Sequence, residues 1–156
     1  MVTWDQFTAA APQFGERAQN QLGAGIAYLA TVRKDGAPRL HPVVPIFADG
    51  RLLVAVSATS PKRFDLARDG RYSMHALPPS SGGDDYEFNV TGHARRVPAA
   101  DGETWNAVRA NAGHVIHDSD WLFEFDIESA LTTVWAGLGV PGQAPTPQRV
   151  TWRDRQ

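Results

Sequence analysis

The residues Ser60, Pro61 and Lys62 form the segment of this sequence that is best suited to bind an anion. Serine is a favoured N-cap residue and proline is favoured at the first helical position, so the segment predicts a short helix that ends before Gly70. The first turn of a helix presents unpaired backbone N–H groups and a partial positive charge, to which Lys62 adds a full charge. The sequence therefore predicts that Ser60 and Lys62 bind an anionic group such as a phosphate.

A proline-rich strand precedes this helix start. The segment 37–48 is rich in β-forming residues and contains His41, Pro42 and Pro45. Proline lacks the N–H group that a ladder hydrogen bond needs, so a strand through residues 42–45 belongs at a sheet edge or at a bulge. The neighbouring backbone groups would then be free to contact a ligand.

Short strands joined by tight turns must position these residues. Two Asp-Gly turns, at Asp35-Gly36 and Asp49-Gly50, predict hairpins between three successive strands. The predicted strands cover residues 25–33, 37–48, 51–57, 71–77, 86–97, 121–127 and 131–135. A Pro- and Gly-rich loop over residues 78–85 is expected to be a rim that shapes substrate choice.

Three helical segments complete the prediction. Thr3 and Gln6 form a capping box for a helix over residues 3–22, with an interruption near Pro12. A short helix follows Ser60, and Asp101 caps a helix that extends to about residue 112. Six or seven strands with few helices predict a mainly β fold, an antiparallel barrel, because closure removes exposed strand edges.

Composition narrows the class of protein. The chain has 156 residues, which predicts one domain over 1–156, with a helical segment 1–22 and a C-terminal arm 139–156. A net charge of −2 argues against non-specific nucleic-acid binding, and the lack of cysteine excludes disulfides and thiolate metal sites. Neither a signal peptide nor a membrane-spanning run is evident, so we expect a cytoplasmic protein with no membrane partner. We also expect no metal site.

Several segments between residues 24 and 97 occur together in an informative order. They are Tyr28-Leu-Ala-Thr-Val, Lys34-Asp-Gly, His41-Pro-Val-Val, Leu52-Leu-Val-Ala-Val, Ser60-Pro-Lys and Asp65-Leu-Ala-Arg-Asp-Gly-Arg-Tyr-Ser-Met. With this set the chain resembles the pyridoxamine 5′-phosphate oxidase-like family of FMN-binding split β-barrels. The resemblance implies a six- to seven-stranded antiparallel split barrel, FMN as the cofactor, and a homodimer with a flavin at each two-fold interface.

The resemblance also implies a set of cofactor contacts. They are His41, Pro42, Val43, Val44, Ala55, Val56, Ser57, Ser60 and Lys62. In the family a second basic residue often precedes the lysine, but Pro61 stands at that position here. The second cation would then come from Arg33, Arg39 or Arg63.

Two classes of function remain open at this stage. No Gly-x-Ser-x-Gly, Walker or His-Glu-x-x-His motif is present, which agrees with chemistry carried by a cofactor. One class is an FMN-dependent oxidoreductase acting on a small molecule, or a deazaflavin-dependent reductase of the same fold. The other is a non-catalytic module that binds a flavin or haem. The C-terminus, Arg149 to Gln156, lacks the Arg-x-x-x-Arg-Leu-x-Pro-like ending of the vitamin B6 oxidase, so that particular activity is not expected.

Overall fold

Eight antiparallel strands form one sheet in the computed structural model of the chain, which describes residues 1–77, 86–137 and 140–155. They are β1 (Ala27–Val32), β2 (Pro38–Val43), β3 (Ile46–Ala48), β4 (Arg51–Val56), β5 (Arg71–Ala76), β6 (Tyr86–Arg96), β7 (Trp121–Ala136) and β8 (Thr146–Arg153). The strand order is β2-β1-β5-β6-β7-β4-β3, and β8 pairs with the C-terminal half of β7. The mainly β split-barrel fold is thus confirmed.

The prediction that the barrel closes was wrong. The hydrogen-bonded order ends at β2 on one side and at β3 on the other, so the sheet that the structure describes remains open. The edge position of β2 was anticipated correctly from Pro42, because a proline costs an edge strand fewer ladder bonds than a central one. Pro45, the other residue behind that prediction, lies between β2 and β3.

The strand boundaries differ from the prediction in three places. Segment 37–48 divides into β2 and β3 at Val44 and Pro45, where proline interrupts the ladder. The predicted sixth and seventh strands are one strand, β7, because β6 pairs with it from Val134 to Phe123 around a bulge at Gly92. The C-terminal arm forms β8, which pairs along Ser129 to Ala136 of β7. The predicted loop over residues 78–85 lies outside the described residues.

Four helices accompany the sheet in the described chain. They are α1 (Trp4–Ala10), α2 (Gly15–Gly23), α3 (Lys62–Arg68) and α4 (Gly102–Asn111). The capping box of Thr3 and Gln6 and the Asp101 cap on Thr104 are both present, as predicted. None of the described helices is long and apolar enough to span a bilayer.

Two buried clusters hold the elements together. The larger fills the barrel and joins Trp4, Phe7 and Phe14 of the N-terminal segment to strand residues such as Phe125. The smaller lies between α4 and the strands β3, β4 and β7. Leu66 belongs to the larger cluster and fixes α3 across the barrel beside β1 and β6.

Candidate functional site

One face of the edge strand β2 points towards α3. Arg39, His41 and Val43 alternate along that face, where they lie opposite Thr31, Leu29 and Ala27 of β1. The intervening residues of β2 point to the other side of the sheet. The strand therefore presents a cation and an imidazole to the space beside α3, while Val43 of the same face is buried in the core.

The carboxylate of Asp65 interacts with two of the cations in that space. Asp65 is only 4% exposed, and Arg39 Nε donates a hydrogen bond to its Oδ2 at 2.6 Å. Thr31 Oγ1 donates to the same oxygen at 3.2 Å, and an Arg68 nitrogen lies 3.5 Å from Oδ1. Arg39 and Arg68 are thus both committed to one buried carboxylate.

Ser60 does not act as the predicted N-cap. The helix α3 begins at Lys62 with Pro61 as its N-cap, and no side chain caps it. A turn immediately before the helix accounts for this difference, because the Ser60 N–H donates to Ser57 O at 2.9 Å and the helical geometry starts one residue later. The Ser60 hydroxyl oxygen is buried and has no hydrogen-bond partner among the described residues.

Lys62 lies on the side of α3 that faces β2. No carboxylate in the described part of the chain forms an ion pair with it, and burial lowers the pKa of its ammonium group. The pKa of His41 is lowered as well, by burial and then by the charges of Lys62 and Arg39, with Asp65 acting in the opposite sense. Two cations, Lys62 and Arg39, thus act on His41 against one anion, Asp65.

A second cationic group is Arg63, the residue that follows Lys62 in α3. The Arg63 guanidinium carbon is 4.4 Å from the ring centroid of Phe64 and 5.0 Å from that of Trp121. Arg96 of β6 stacks on the same indole at 3.7 Å. Neither arginine forms an ion pair with a described residue, and the buried Arg63 Nε has no hydrogen-bond partner there.

A cleft of about 630 Å³ runs between α3 and the first hairpin. Its lining includes Arg33, Lys34, Arg39 and Arg68 together with two carboxylates, Asp35 and Asp65. The surplus of cations makes this side of the molecule suitable for an anionic ligand. The sequence motif at Ser60 and Lys62 lies at one end of the helix that borders the cleft.

The remaining predicted contacts fall into two groups. Val43 and Val56 are buried in the barrel core, so their side chains serve packing, and Ala55 packs against the smaller cluster. Pro42, Val44 and Ser57 are exposed. The Ser57 hydroxyl is used locally, since it lies 3.0 Å from Thr59 Oγ1 and accepts a bond from the Thr59 N–H. The structure thus brings together His41, Ser60 and Lys62 at α3, and the other six lie along β2, β4 and their ends.

Sequence reasoning did not identify Asp65, Trp121 or Arg96 as parts of the site. Asp65 could have been suspected from its helical position one turn after Pro61. Trp121 and Arg96 carry no such local signal, because strand pairing between β6, β7 and β4 brings them beside α3.

An open antiparallel sheet that wraps one core, with a cation-rich helix start beside a proline-bearing edge strand, defines a protein of the split-barrel class. Residues 15–134 match the pyridoxamine 5′-phosphate oxidase family. The chain therefore belongs to that family. No curated protein matches the chain significantly.

Several solved structures share this fold. A conserved hypothetical protein from Mycobacterium tuberculosis is 20% identical, with a TM-score of 0.62, over 83% of this chain and 89% of that one. A heme binding protein from Mycobacterium smegmatis is 18% identical, with a TM-score of 0.60, over 85% of this chain. This chain spans 55% of the length of that heme binding protein. An F420 reductase is 15% identical, with a TM-score of 0.56, over 72% of this chain and 94% of that one.

Proposed function

We propose that this protein is an FMN-binding oxidoreductase that acts on a small molecule. The observation that carries the proposal is the buried Ser60 hydroxyl oxygen without a partner, next to Lys62, a half-buried cation without a carboxylate. Buried polar groups are nearly always hydrogen-bonded, so an unpaired hydroxyl beside an unpaired cation indicates a missing anionic partner. A flavin phosphate supplies that partner.

The residues of this chain have distinct parts in the proposed complex. Ser60 and Lys62 bind the phosphate, and His41 contributes a further polar group from the edge strand. Backbone groups of β2 near Pro42 to Val44 and of β4 near Ala55 to Ser57 contact the ring. Bound FMN supplies the hydride chemistry, and the protein binds and orients it.

A homodimer is part of the same proposal. Tyr28 and Leu40 are exposed on the outer face of β1 and β2, where Tyr28 is paired with Pro42 and Leu40 with Ala30. Ile26 and Leu77 extend this exposed apolar surface beyond the ends of β1 and β5. Exposed apolar side chains on neighbouring strands are typical of a protein interface, and a second copy of the chain would cover them.

The absorption spectrum of the purified protein tests the choice of cofactor. We expect flavin bands and a higher affinity for FMN than for riboflavin, measured by quenching of flavin fluorescence. A Soret band would instead support haem, the cofactor type in the name of the Mycobacterium smegmatis neighbour. Binding of only a deazaflavin would support the branch named by the F420 reductase. Equal affinity for FMN and riboflavin would contradict the phosphate site.

Reduction of the bound flavin separates an enzyme from a binding module. An oxidoreductase should accept electrons from a reduced nicotinamide and pass them to acceptors such as quinones, nitro compounds or enones. A protein that holds oxidised FMN without turnover across that panel would be a carrier or sensor.

A further inference from the structure

We propose that Arg63 is the second cation of the phosphate site and that Trp121 is the residue that positions it. This inference rests on the proposed function, since it concerns the same phosphate group. In the family a basic residue often stands where this chain has Pro61. The second cation could therefore be Arg33, Arg39 or Arg63, and the inference chooses among them.

Two of the three candidates are already paired. Arg39 donates to the buried Asp65 carboxylate at 2.6 Å, and Arg33 lies 3.0 Å from Asp35 in the first hairpin. Either arginine would have to leave its carboxylate to reach a phosphate. For Arg39 that step would deprive the buried Asp65 carboxylate of its nearest cation and leave it only the more distant Arg68, which is costly.

Arg63 has no such competing partner in the part of the chain that the structure describes. Its Nε is buried and unpaired, and so is the Ser60 Oγ, one helical turn earlier. The two residues are joined by a hydrogen bond from the Arg63 N–H to the Ser60 carbonyl at 3.4 Å. The guanidinium donor and the hydroxyl therefore belong to the same turn of chain as Lys62, and an oxyanion there can satisfy all three groups.

The Trp121 ring lies beside the guanidinium group of Arg63 and keeps it near the first turn of α3. The guanidinium carbon of Arg63 is 5.0 Å from the indole centroid, and strand pairing of Trp121 with Val56 fixes the ring beside the end of β4. Phe64 meets Trp121 edge to face, with 5.7 Å between the ring centroids. Since Arg96 stacks on the same indole at 3.7 Å, the two guanidinium carbons are at most 8.7 Å apart. An anion at Arg63 therefore also offsets the repulsion between these two cations.

Comparison of FMN with riboflavin tests the assignment of Arg63. We expect Arg63→Gln to weaken FMN binding about 10- to 100-fold and to leave riboflavin affinity unchanged, since only FMN carries the charged acceptor. Arg109→Gln is the matched control, because Arg109 of α4 also lies over a tryptophan ring, that of Trp105 at 5.4 Å, and it should change neither affinity. Equal losses for both ligands in Arg63→Gln, or an equal FMN loss in Arg109→Gln, would overturn the assignment.

A double-mutant cycle tests the role of Trp121. Trp121→Leu should weaken FMN binding several-fold, and adding it to Arg63→Gln should cause little further loss, because its effect acts through the arginine. Strictly additive losses would show that Trp121 does not position Arg63. Thermal unfolding of each variant identifies any loss caused by misfolding.

Arginine side-chain NMR separates failure of this inference from failure of the proposed function. The Nε–H signal that disappears in Arg63→Lys belongs to Arg63, and it should shift when FMN is added to the wild-type chain. If the wild type prefers FMN but this signal stays unchanged, Arg63 is excluded and the proposed function survives. If the wild type binds neither flavin, the proposed function fails. Inorganic phosphate is then the probe, and an unchanged Arg63 signal overturns this inference as well.

Discussion

Arg39 on the edge strand β2 and Asp65 on α3 form a hydrogen-bonded ion pair, with 2.6 Å between Nε and Oδ2. The pair connects the strand and the helix that carry the candidate site. Asp65 is 4% exposed and also accepts a hydrogen bond from Thr31, so its charge is almost fully removed from water. The structure therefore depends on this carboxylate both for the position of α3 and for the commitment of Arg39.

The first prediction concerns that pair. Asp65→Asn should lower the free energy of unfolding by about 3 kcal/mol, because it leaves Arg39 without its buried counter-charge. Urea denaturation measures the change. Asp35→Asn is the control, since Arg33 and Asp35 form an exposed pair whose loss should cost at most about 1 kcal/mol. Similar losses of unfolding free energy in the two variants would show that burial does not make the Asp65 pair more stabilising than the exposed pair.

The second prediction concerns Lys62. Lys62→Ala should weaken FMN binding by roughly 1.5 to 3 kcal/mol, the range for hydrogen bonds to charged groups, and should hardly change riboflavin affinity. Isothermal titration calorimetry with both ligands gives the two values. Arg149→Ala removes an exposed cation from β8 and serves as the control. A parallel loss of both affinities in Lys62→Ala would point to a defect in folding.

The third prediction concerns pH and His41. Burial, Lys62 and Arg39 lower the pKa of His41 in the free protein, and a bound phosphate dianion would raise it again. FMN binding should therefore take up protons, and the affinity should rise as the pH falls from about 8 to about 7, which lies above the second pKa of the phosphate at about 6. Dissociation constants at a series of pH values measure this, and His41→Asn should reduce the slope. An unchanged slope would exclude His41 from the site.

The lowered pKa of His41 also affects the stability of the free protein. A fall in pH, which favours FMN binding, destabilises the free fold. Because the unfolded chain binds a proton at His41 more readily than the folded chain, the folded state loses stability as the pH falls below the ordinary histidine pKa. Urea denaturation of the FMN-free protein at several pH values should show this decline, and His41→Asn should diminish it.

The fourth prediction concerns assembly. Leu40 is 63% exposed on the outer face of β2, and Leu40→Glu should convert the proposed homodimer to a monomer by placing a charge in its interface. Light scattering at micromolar concentration measures the mass. Val115→Glu is the matched control, because Val115 is 74% exposed but lies between α4 and β7, and it should leave the dimer intact. A wild-type monomer that still binds flavin would contradict the proposed dimer.

Much of the fold could be predicted from local patterns. The Asp49-Gly50 turn has positive φ at both residues, as the hairpin signal requires, and the caps of α1 and α4 form as expected. Pro42 correctly indicated an edge strand. The boundaries of β7 and β8 were missed because they depend on pairing between distant segments, and the periodicity of one segment does not reveal its partner.

The candidate site was predictable to a smaller degree. Ser60 and Lys62 are neighbours in the sequence, so their shared location follows from the chain itself, although the hydroxyl was assigned the wrong role as a cap. Which of Arg33, Arg39 and Arg63 is free to bind an anion could not be inferred in the same way. Whether an arginine is free or paired depends on carboxylates and aromatic rings that strand pairing and helix packing bring close.

The sequence by itself determined the motif at Ser60 to Lys62 and the edge position of β2, because each depends on backbone chemistry within a few residues. The split-barrel class followed from the family resemblance that its segments carry. The tertiary structure alone decided that Asp65 retains Arg39 and that Arg63 rests on Trp121. These are contacts between α3 and strands distant from it in the sequence, and they form only when Leu66 packs α3 into the barrel core. Packing of one short helix thus selects which cation is left free to bind an anion.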